Sequence, residues 1–238
     1  MSIIYFIRHA QAGTRENYDM LSELGQQQAK LLGEYFAGQG IGFSTVIAGG
    51  MRRQQHTAEL VCNALSQAGL QVPDPVVDER WNEFTLKEVY EGICTRMIAD
   101  SAEFANDFQE MQELLKRDPH AVRGAAGRCD AAVIRAWMGN HYPDYQGESW
   151  QAFKARIVSR VQDLPDGGNE KIIAIFTSAT PVAITTSYAL ELSDEKLLSV
   201  LGVIANSSVT VTQKNGADVR LFSFNSTPHL NESNRTYR

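Results

Sequence analysis

The sequence predicts an α/β fold: a three-layer sandwich with a mostly parallel central sheet, helices on both faces and a helical cap, inserted at about residues 85–147 of a single domain spanning 1–238. Three observations predict it. The first seventy or so residues alternate short apolar runs with amphipathic stretches, which is the signature of parallel strands joined by crossover helices. The same alternation resumes beyond residue 149. Between the two, the chain carries two long helical patterns and no convincing strand.

Each element has a local reason. Ile3–Ile7 is short, apolar and rich in β-branched residues, as a strand buried on both faces should be. A polar loop, "HAQAGTRENYD", follows. "LSELGQQQAKLLGEYFAGQG" reads as a helix capped by Ser22, with Leu24, Leu31, Leu32, Tyr35 and Phe36 forming its apolar stripe and glycines after it. "STVIAGG" is a second buried strand, and "MRRQQHTAELVCNALSQAG" a second helix ending at Gly69. In the middle, "LKEVYEGICTRMIADSAEFANDFQEMQELLKR" and "GRCDAAVIRAWMGNHY" are the two helical patterns of the cap. "SWQAFKARIVSRVQDL" is helical, "PDGGN" is a loop and "KIIAIFT" a buried strand. "TPVAITTSYALEL" is a helix with Thr180 as its cap and Pro181 at its first position. "SVTVTQK" and "RLFSF" read as two alternating strands joined by a tight turn at Asn215-Gly216, and the polar tail from Pro228 is expected to be loose.

Composition limits the function classes. With 43% hydrophobic residues the chain can bury a sizeable core. A formal charge of −6 and the lack of a long basic run argue against a nucleic-acid or anionic-membrane partner, but leave room for a local cationic pocket. Cys62, Cys94 and Cys129 match no metal or redox spacing, and three is an odd number for a disulfide framework. Reduced thiols, no apolar run of membrane-spanning length and no signal peptide lead us to expect a cytoplasmic protein.

The polar residues that interrupt the pattern fall at strand ends. In open parallel sheets, ligands bind beyond the carboxyl ends of the strands. Arg8 and His9 follow the first strand, "GGMRR" follows the second, and "TSATP" follows "KIIAIF". Arg52 and Arg53 open one helix, and Ser178 stands before another, so free helix N–H groups should add to the anion site. Glu83, in "ERWNEF", lies where the core meets the cap. Cations, an imidazole, hydroxyls and a carboxylate outline a phosphate site. They suit phosphoryl transfer through a covalent histidine: a neutral imidazole attacks phosphorus, arginines hold the oxygens, and a carboxyl group first protonates the leaving oxygen and then activates water.

"IRHAQ" at a strand end, followed by "LSELGQQQA" opening a helix, resembles the start of the histidine phosphatase superfamily, in its phosphoglycerate-mutase-like branch. "RRQQHTAEL" resembles that family's second arginine motif, with an Arg four residues before Thr-Ala, which selects Arg53 over Arg52. "RWNEF" resembles the segment that carries the proton donor and selects Glu83. "GES" at 147–149 with Phe153 and Arg156, and "ANSSVT" at 205–210, resemble the helix after the cap and a late strand segment. The resemblance implies His9 as nucleophile, Arg8 and Arg53 as phosphate ligands and catalytic groups, Glu83 as the acid, and neither metal nor cofactor. The substrate it implies is a small phosphorylated molecule.

The chain also departs from the family pattern. Ala10 replaces the glycine after the nucleophile, and Gly49-Gly50 replaces a Ser-Pro turn. The family's second histidine is matched by Ser178, which would bind phosphate with a hydroxyl rather than a charge. Slow turnover is therefore expected. With no second imidazolium nearby, His9 is expected to be protonated over a wider pH range. His56, inside the second-arginine helix, reads either as a packing residue or as a substitute ligand, and His120 and His141 belong to the cap. The leading function is a phosphatase working through phosphohistidine. A phosphoglycerate mutase and a catalytically weak phosphate-binding module are the alternatives. The substrate, the oligomeric state and the part played by the cap histidines stay open.

Overall fold

In the computed structural model, residues 1–14, 17–119, 121, 123–165 and 171–237 are described. His120 and residues 166–169 of the expected "PDGGN" loop lie outside them. The strands are β1 (Ser2–Arg8), β2 (Thr45–Ala48), β3 (Val76–Val77), β4 (Lys171–Thr177), β5 (Val209–Asn215) and β6 (Asp218–Ser226). The helices are α1 (Glu23–Gly38), α2 (Arg52–Gln67), α3 (Leu86–Asp100), α4 (Ala102–Arg117), α5 (Ala125–Met138), α6 (Trp150–Gln162), α7 (Ala179–Ala189) and α8 (Asp194–Leu201).

One six-stranded sheet runs in the order β3-β2-β4-β1-β5-β6. Its first four strands are parallel, and β5 and β6 add antiparallel pairings at the other edge. The apolar run that opens the chain is explained by burial on both faces. Ile7 joins Leu32, Phe36, Val61 and Leu65 of α1 and α2 on one side, with Tyr5 edge-on to Phe36 at 5.8 Å. Phe6 points the other way and meets Trp81 at 5.6 Å. The close approach of α1 to the rest of this layer depends on glycine. A Cβ at Gly25 would sit 2.1 Å from the Gln11 carbonyl oxygen, and one at Gly33 would sit 2.6 Å from the Ala64 Cβ.

The described chain forms two compact units. Of the described residues, the first holds those within 1–13, 17–83 and 156–237, and the second those within 84–155 together with Thr14. In the second unit, α3, α4 and α5 bury Val89, Ile93, Met97, Phe104, Met111, Cys129 and Val133. An aromatic cluster of Phe84, Trp137, Trp150 and Phe153 adds to it. The first helical pattern of this region is two helices rather than one. Ser101 is extended, ends α3, and accepts the Phe104 N–H at 3.1 Å as the N-cap of α4. A serine amid helix formers carried that break.

Other expectations also change. α7 begins at Ala179 with Ser178 in the N-cap position, so Pro181 is its third residue and Thr180 is not the cap. β3, of two residues, and α8, capped by Ser193, were too short to register as patterns. The polar tail is tied down: the Thr236 carbonyl accepts from Asn206 N at 2.8 Å, and the Asn234 carbonyl from Gln28 Nε2 at 2.7 Å. Cys62, Cys94 and Cys129 are buried free thiols. No helix among the described residues is long and apolar enough to cross a membrane.

Candidate active site

The register of the sheet gathers the strand-end residues. Arg8 pairs with Thr177 across β1 and β4, and Ala48 of β2 pairs with Phe176 on the other side of β4. His9 and Ser178 therefore leave adjacent strands at the same edge, and α2 starts beside them. Arg8, His9, Arg53 and Ser178 are all buried, with exposures of 5%, 1%, 5% and 1%.

His9 is fixed through its backbone and its ring. Its N–H donates to Thr177 O at 2.7 Å, and its carbonyl accepts from Ser207 N and Asn206 Nδ2, each at 3.3 Å. Asn206 is in turn held by Thr236, whose hydroxyl donates to Asn206 Oδ1 at 2.9 Å. The ring Nδ1 lies 2.8 Å from the Ala10 carbonyl, and Arg53 Nε lies 3.2 Å from Nε2. A carbonyl only accepts and a guanidinium only donates. Nδ1 therefore carries the proton, and Nε2 presents its lone pair. Burial, then the charges of Arg53 and Arg8, hold the imidazole well below its ordinary value of 6.5, opposed by the Ala10 carbonyl. Ser178 adds no charge to this balance, and the two buried guanidinium groups are the cations that oppose protonation of His9.

Arg53 is the better-placed arginine of its pair. Its carbonyl accepts from Thr57 Oγ1 at 2.6 Å, and that hydroxyl accepts from Ala10 N at 3.1 Å, which locks the first turns of α2 to the loop after β1. Its Nη1 donates to Asp19 Oδ1 at 2.9 Å, and its guanidinium lies 4.8 Å over the ring of Tyr18. Arg52 is exposed, and its backbone N–H donates to Asp19 Oδ2 at 3.2 Å. Arg8 donates through Nη1 to the Ile204 carbonyl, while its Nε is buried with no hydrogen-bond partner among the described residues. Burial lowers its pKa, Arg53 lowers it further, and Tyr18 and Glu83 favour its charged form.

Ser178 Oγ accepts from Gln54 Nε2 at 2.9 Å and makes no side-chain cap bond to α7. Glu83 sits at the start of that helix, where Oε2 accepts from Thr180 N at 3.0 Å. Its segment is anchored by Arg156, whose Nη1 donates to the carbonyls of Arg80 and Asn82, and by Asp78. Burial alone would raise the Asp78 carboxyl, but bonds from Arg80 and Arg160 hold it down to about 2. Both helix N-termini expected to receive phosphate thus already meet carboxylates of the protein: Asp19 at α2 and Glu83 at α7. His56 is half-buried and takes part in none of the hydrogen bonds that join these side chains. Tyr18, Asp19 and Gln54 escaped sequence reading. The first two lie in an aperiodic polar loop, and Gln54 looks like any surface glutamine of a helix. Among the described residues, no group of three or more His, Cys, Asp or Glu could hold a metal ion.

His229 gives the fold a measurable pH dependence. Its Nε2 is 2.8 Å from Ser207 Oγ, and burial takes its pKa down to about 4 from 6.5. His9 is depressed in the same sense. Below 6.5 the unfolded chain binds protons at these positions that the folded chain refuses, so stability rises with pH across this window and falls on acidification. The melting temperature should decline progressively from pH 6.5 toward pH 4, and less steeply in His229→Gln. The same acid slope in both proteins would contradict this assignment.

The sequence model of the histidine phosphatase superfamily (branch 1) matches residues 4–136 and 120–227. No curated protein matches the sequence. Solved structures do. The α-ribazole phosphatase of Shigella flexneri has a TM-score of 0.61 at 18% identity, over 94% of this chain and 96% of that one. A phosphoserine phosphatase variant from Entamoeba histolytica, in complex with phosphoserine, gives 0.60 at 17% identity, over 97% and 100%. A mycobacterial glucosyl-3-phosphoglycerate phosphatase in complex with inorganic phosphate gives 0.59 at 20% identity, over 96% and 99%. At these identities the likeness is one of fold.

Proposed function

The chain belongs to the histidine phosphatase superfamily, and from that premise we propose that it hydrolyses a small phosphate monoester through a phosphohistidine on His9. The observation that carries the reading is the state of that ring: neutral, with Nδ1–H held by Ala10 and the Nε2 lone pair facing Arg53. Attack on phosphorus needs that lone pair. As the phosphoryl group enters, Arg53 exchanges its bond to Nε2 for one to a phosphoryl oxygen, and the unsatisfied Nε–H of Arg8 takes another. The P–O bond to the leaving group breaks as the N–P bond forms, and Glu83 gives its proton to the departing oxygen. The same carboxylate then takes a proton from water, which attacks phosphorus, releases orthophosphate and restores His9. The phosphatases of similar fold support this class of reaction. The buried free thiols accord with a cytoplasmic location.

A catalytically weak phosphate-binding module is the second reading, and Ser178 favours it. A hydroxyl supplies no charge where the family has an imidazole, and a missing charged donor costs about 10²–10³ in rate. Turnover is therefore expected to be slow rather than absent, because two buried arginines remain. The test is release of phosphate from 4-nitrophenyl phosphate, together with trapping of an acid-labile, alkali-stable phosphoenzyme. Orthophosphate binding without either signal would favour the binding module.

Ser178 itself should act as a ligand. Gln54 occupies one of its acceptor sites, so the hydroxyl keeps its proton for a phosphoryl oxygen. Ser178→Ala is expected to lower turnover or orthophosphate affinity about two- to tenfold, the scale of one neutral hydrogen bond. A variant equal to wild type in both would remove Ser178 from the site.

A further inference from the structure

The geometry points to Asp19 as a positioning residue that aims the guanidinium of Arg53 at the nucleophile, with Tyr18 as its support. The proposal rests on the reading of His9 and Arg53 as the groups that handle the phosphoryl group, and extends it to Tyr18 and Asp19.

Arg53 is held from three directions. Nε faces His9 Nε2 at 3.2 Å, Nη1 faces Asp19 Oδ1 at 2.9 Å, and the plane lies 4.8 Å over Tyr18. A guanidinium is a rigid fork, and its donors lie on separate edges. Nε shares an edge with Nη2, whereas Nη1 lies on the side of Cδ. Asp19 therefore does not take the edge that meets His9. It fixes the far side of the group and leaves the Nε–Nη2 edge for two phosphoryl oxygens. The second oxygen of Asp19 accepts from Arg52 N, the first N–H of α2. That bond ties the loop to the helix that carries Arg53, whose own N-cap, Met51, has no side-chain oxygen to offer. Tyr18 completes the brace. Its ring stands perpendicular to His9 at a centroid distance of 6.4 Å, and its hydroxyl favours the charged form of Arg8 through a hydrogen bond. One dipeptide thus touches both arginines and the nucleophile.

The opposite role, a carboxylate competing with phosphate, predicts the reverse sign in binding. Asp19 is half-exposed, at 50% of its side chain, so solvent screens its repulsion of a bound anion. Losing a fixed orientation for a buried guanidinium is the larger effect.

The experiment compares wild type, Asp19→Asn and Asp19→Ala. It reads kcat and KM with 4-nitrophenyl phosphate, normalised to the number of sites that form phosphoenzyme, and orthophosphate affinity by calorimetry. Asp19→Ala should lose about tenfold or more in kcat per active site, the scale of a misplaced reacting group, with KM within about threefold. Asp19→Asn, which keeps an oxygen acceptor, should recover part of that loss. Orthophosphate affinity should fall about threefold or more in Asp19→Ala, because the guanidinium must be ordered on binding. An unchanged kcat per site, or a rise in orthophosphate affinity, would overturn the proposal. Normalisation to active sites separates it from a loss of folded protein. If wild type forms neither phosphoenzyme nor product, the nucleophile reading fails, and orthophosphate affinity alone decides the role of Asp19: a fall supports it, and no change or a rise refutes it.

Discussion

His9→Ala is expected to abolish the phosphoenzyme and to lower phosphate release by at least about 10³-fold, since removal of a nucleophile leaves only the rate supplied by binding and charge stabilisation. Three features assign the effect to this side chain. The backbone around it is held by Thr177, Ser207 and Asn206, whose bonds engage only the main-chain N–H and carbonyl of His9 and survive truncation of its ring. The ring is buried and its tautomer is set by the Ala10 carbonyl, so the reactive nitrogen is Nε2 without further rearrangement. The depressed pKa keeps that nitrogen unprotonated at neutral pH, and loss of activity on the acid side should therefore begin well below 6.5. His9→Gln offers the control: its amide can occupy the space of the ring without becoming phosphorylated. A His9→Ala protein that still forms a phosphoenzyme would move the nucleophile elsewhere. His56, half-buried on α2, would be the first histidine to examine.

The layers of the fold were legible because burial leaves a periodic record. β1 and β4 read as unbroken apolar runs because side chains on both faces meet packed layers, and α1 showed its stripe through Leu32 and Phe36. The second unit was legible as helical but not in its joints, since one N-cap serine separates α3 from α4. The first ring of the site followed from strand ends. Arg8, His9, Arg53 and Ser178 lie where a parallel sheet should put its ligand, and resemblance chose among the arginines. What supports them did not follow. Asp19 meets Arg53 across 34 residues of sequence, and Gln54 meets Ser178 across 124. Such contacts are fixed by tertiary packing, and neither residue type nor spacing announces them. The docked tail is the same case: Thr236 reaches Asn206, which bonds the His9 carbonyl, although its composition is that of a loose end.

Arg53→Ala should cost at least about a hundredfold in kcat/KM, the scale for one lost transition-state donor, whereas Arg52→Ala should stay within about twofold of wild type. The two residues are neighbours on one helix and about 100° apart around it, so only one can face the sheet edge. Arg53 is 5% exposed, lies 3.2 Å from His9 through Nε, and is fixed at its backbone by Thr57. Arg52 is exposed, and its contact with Asp19 runs through the backbone N–H, which alanine retains. Charge alone does not explain the difference, because both side chains are cations. Arg53→Lys tests this directly. A lysine keeps the charge but has no paired edge for two phosphoryl oxygens and no planar group to lie over Tyr18, so it should recover little of the lost rate. The measurement is kcat/KM for the four proteins at matched folded fraction, judged by melting temperature. Equal losses in Arg52→Ala and Arg53→Ala would mean that the net charge of the α2 terminus matters and the fork does not. Full activity in Arg53→Lys would say the same, and either result would remove Arg53 as a specific ligand of the transferring group.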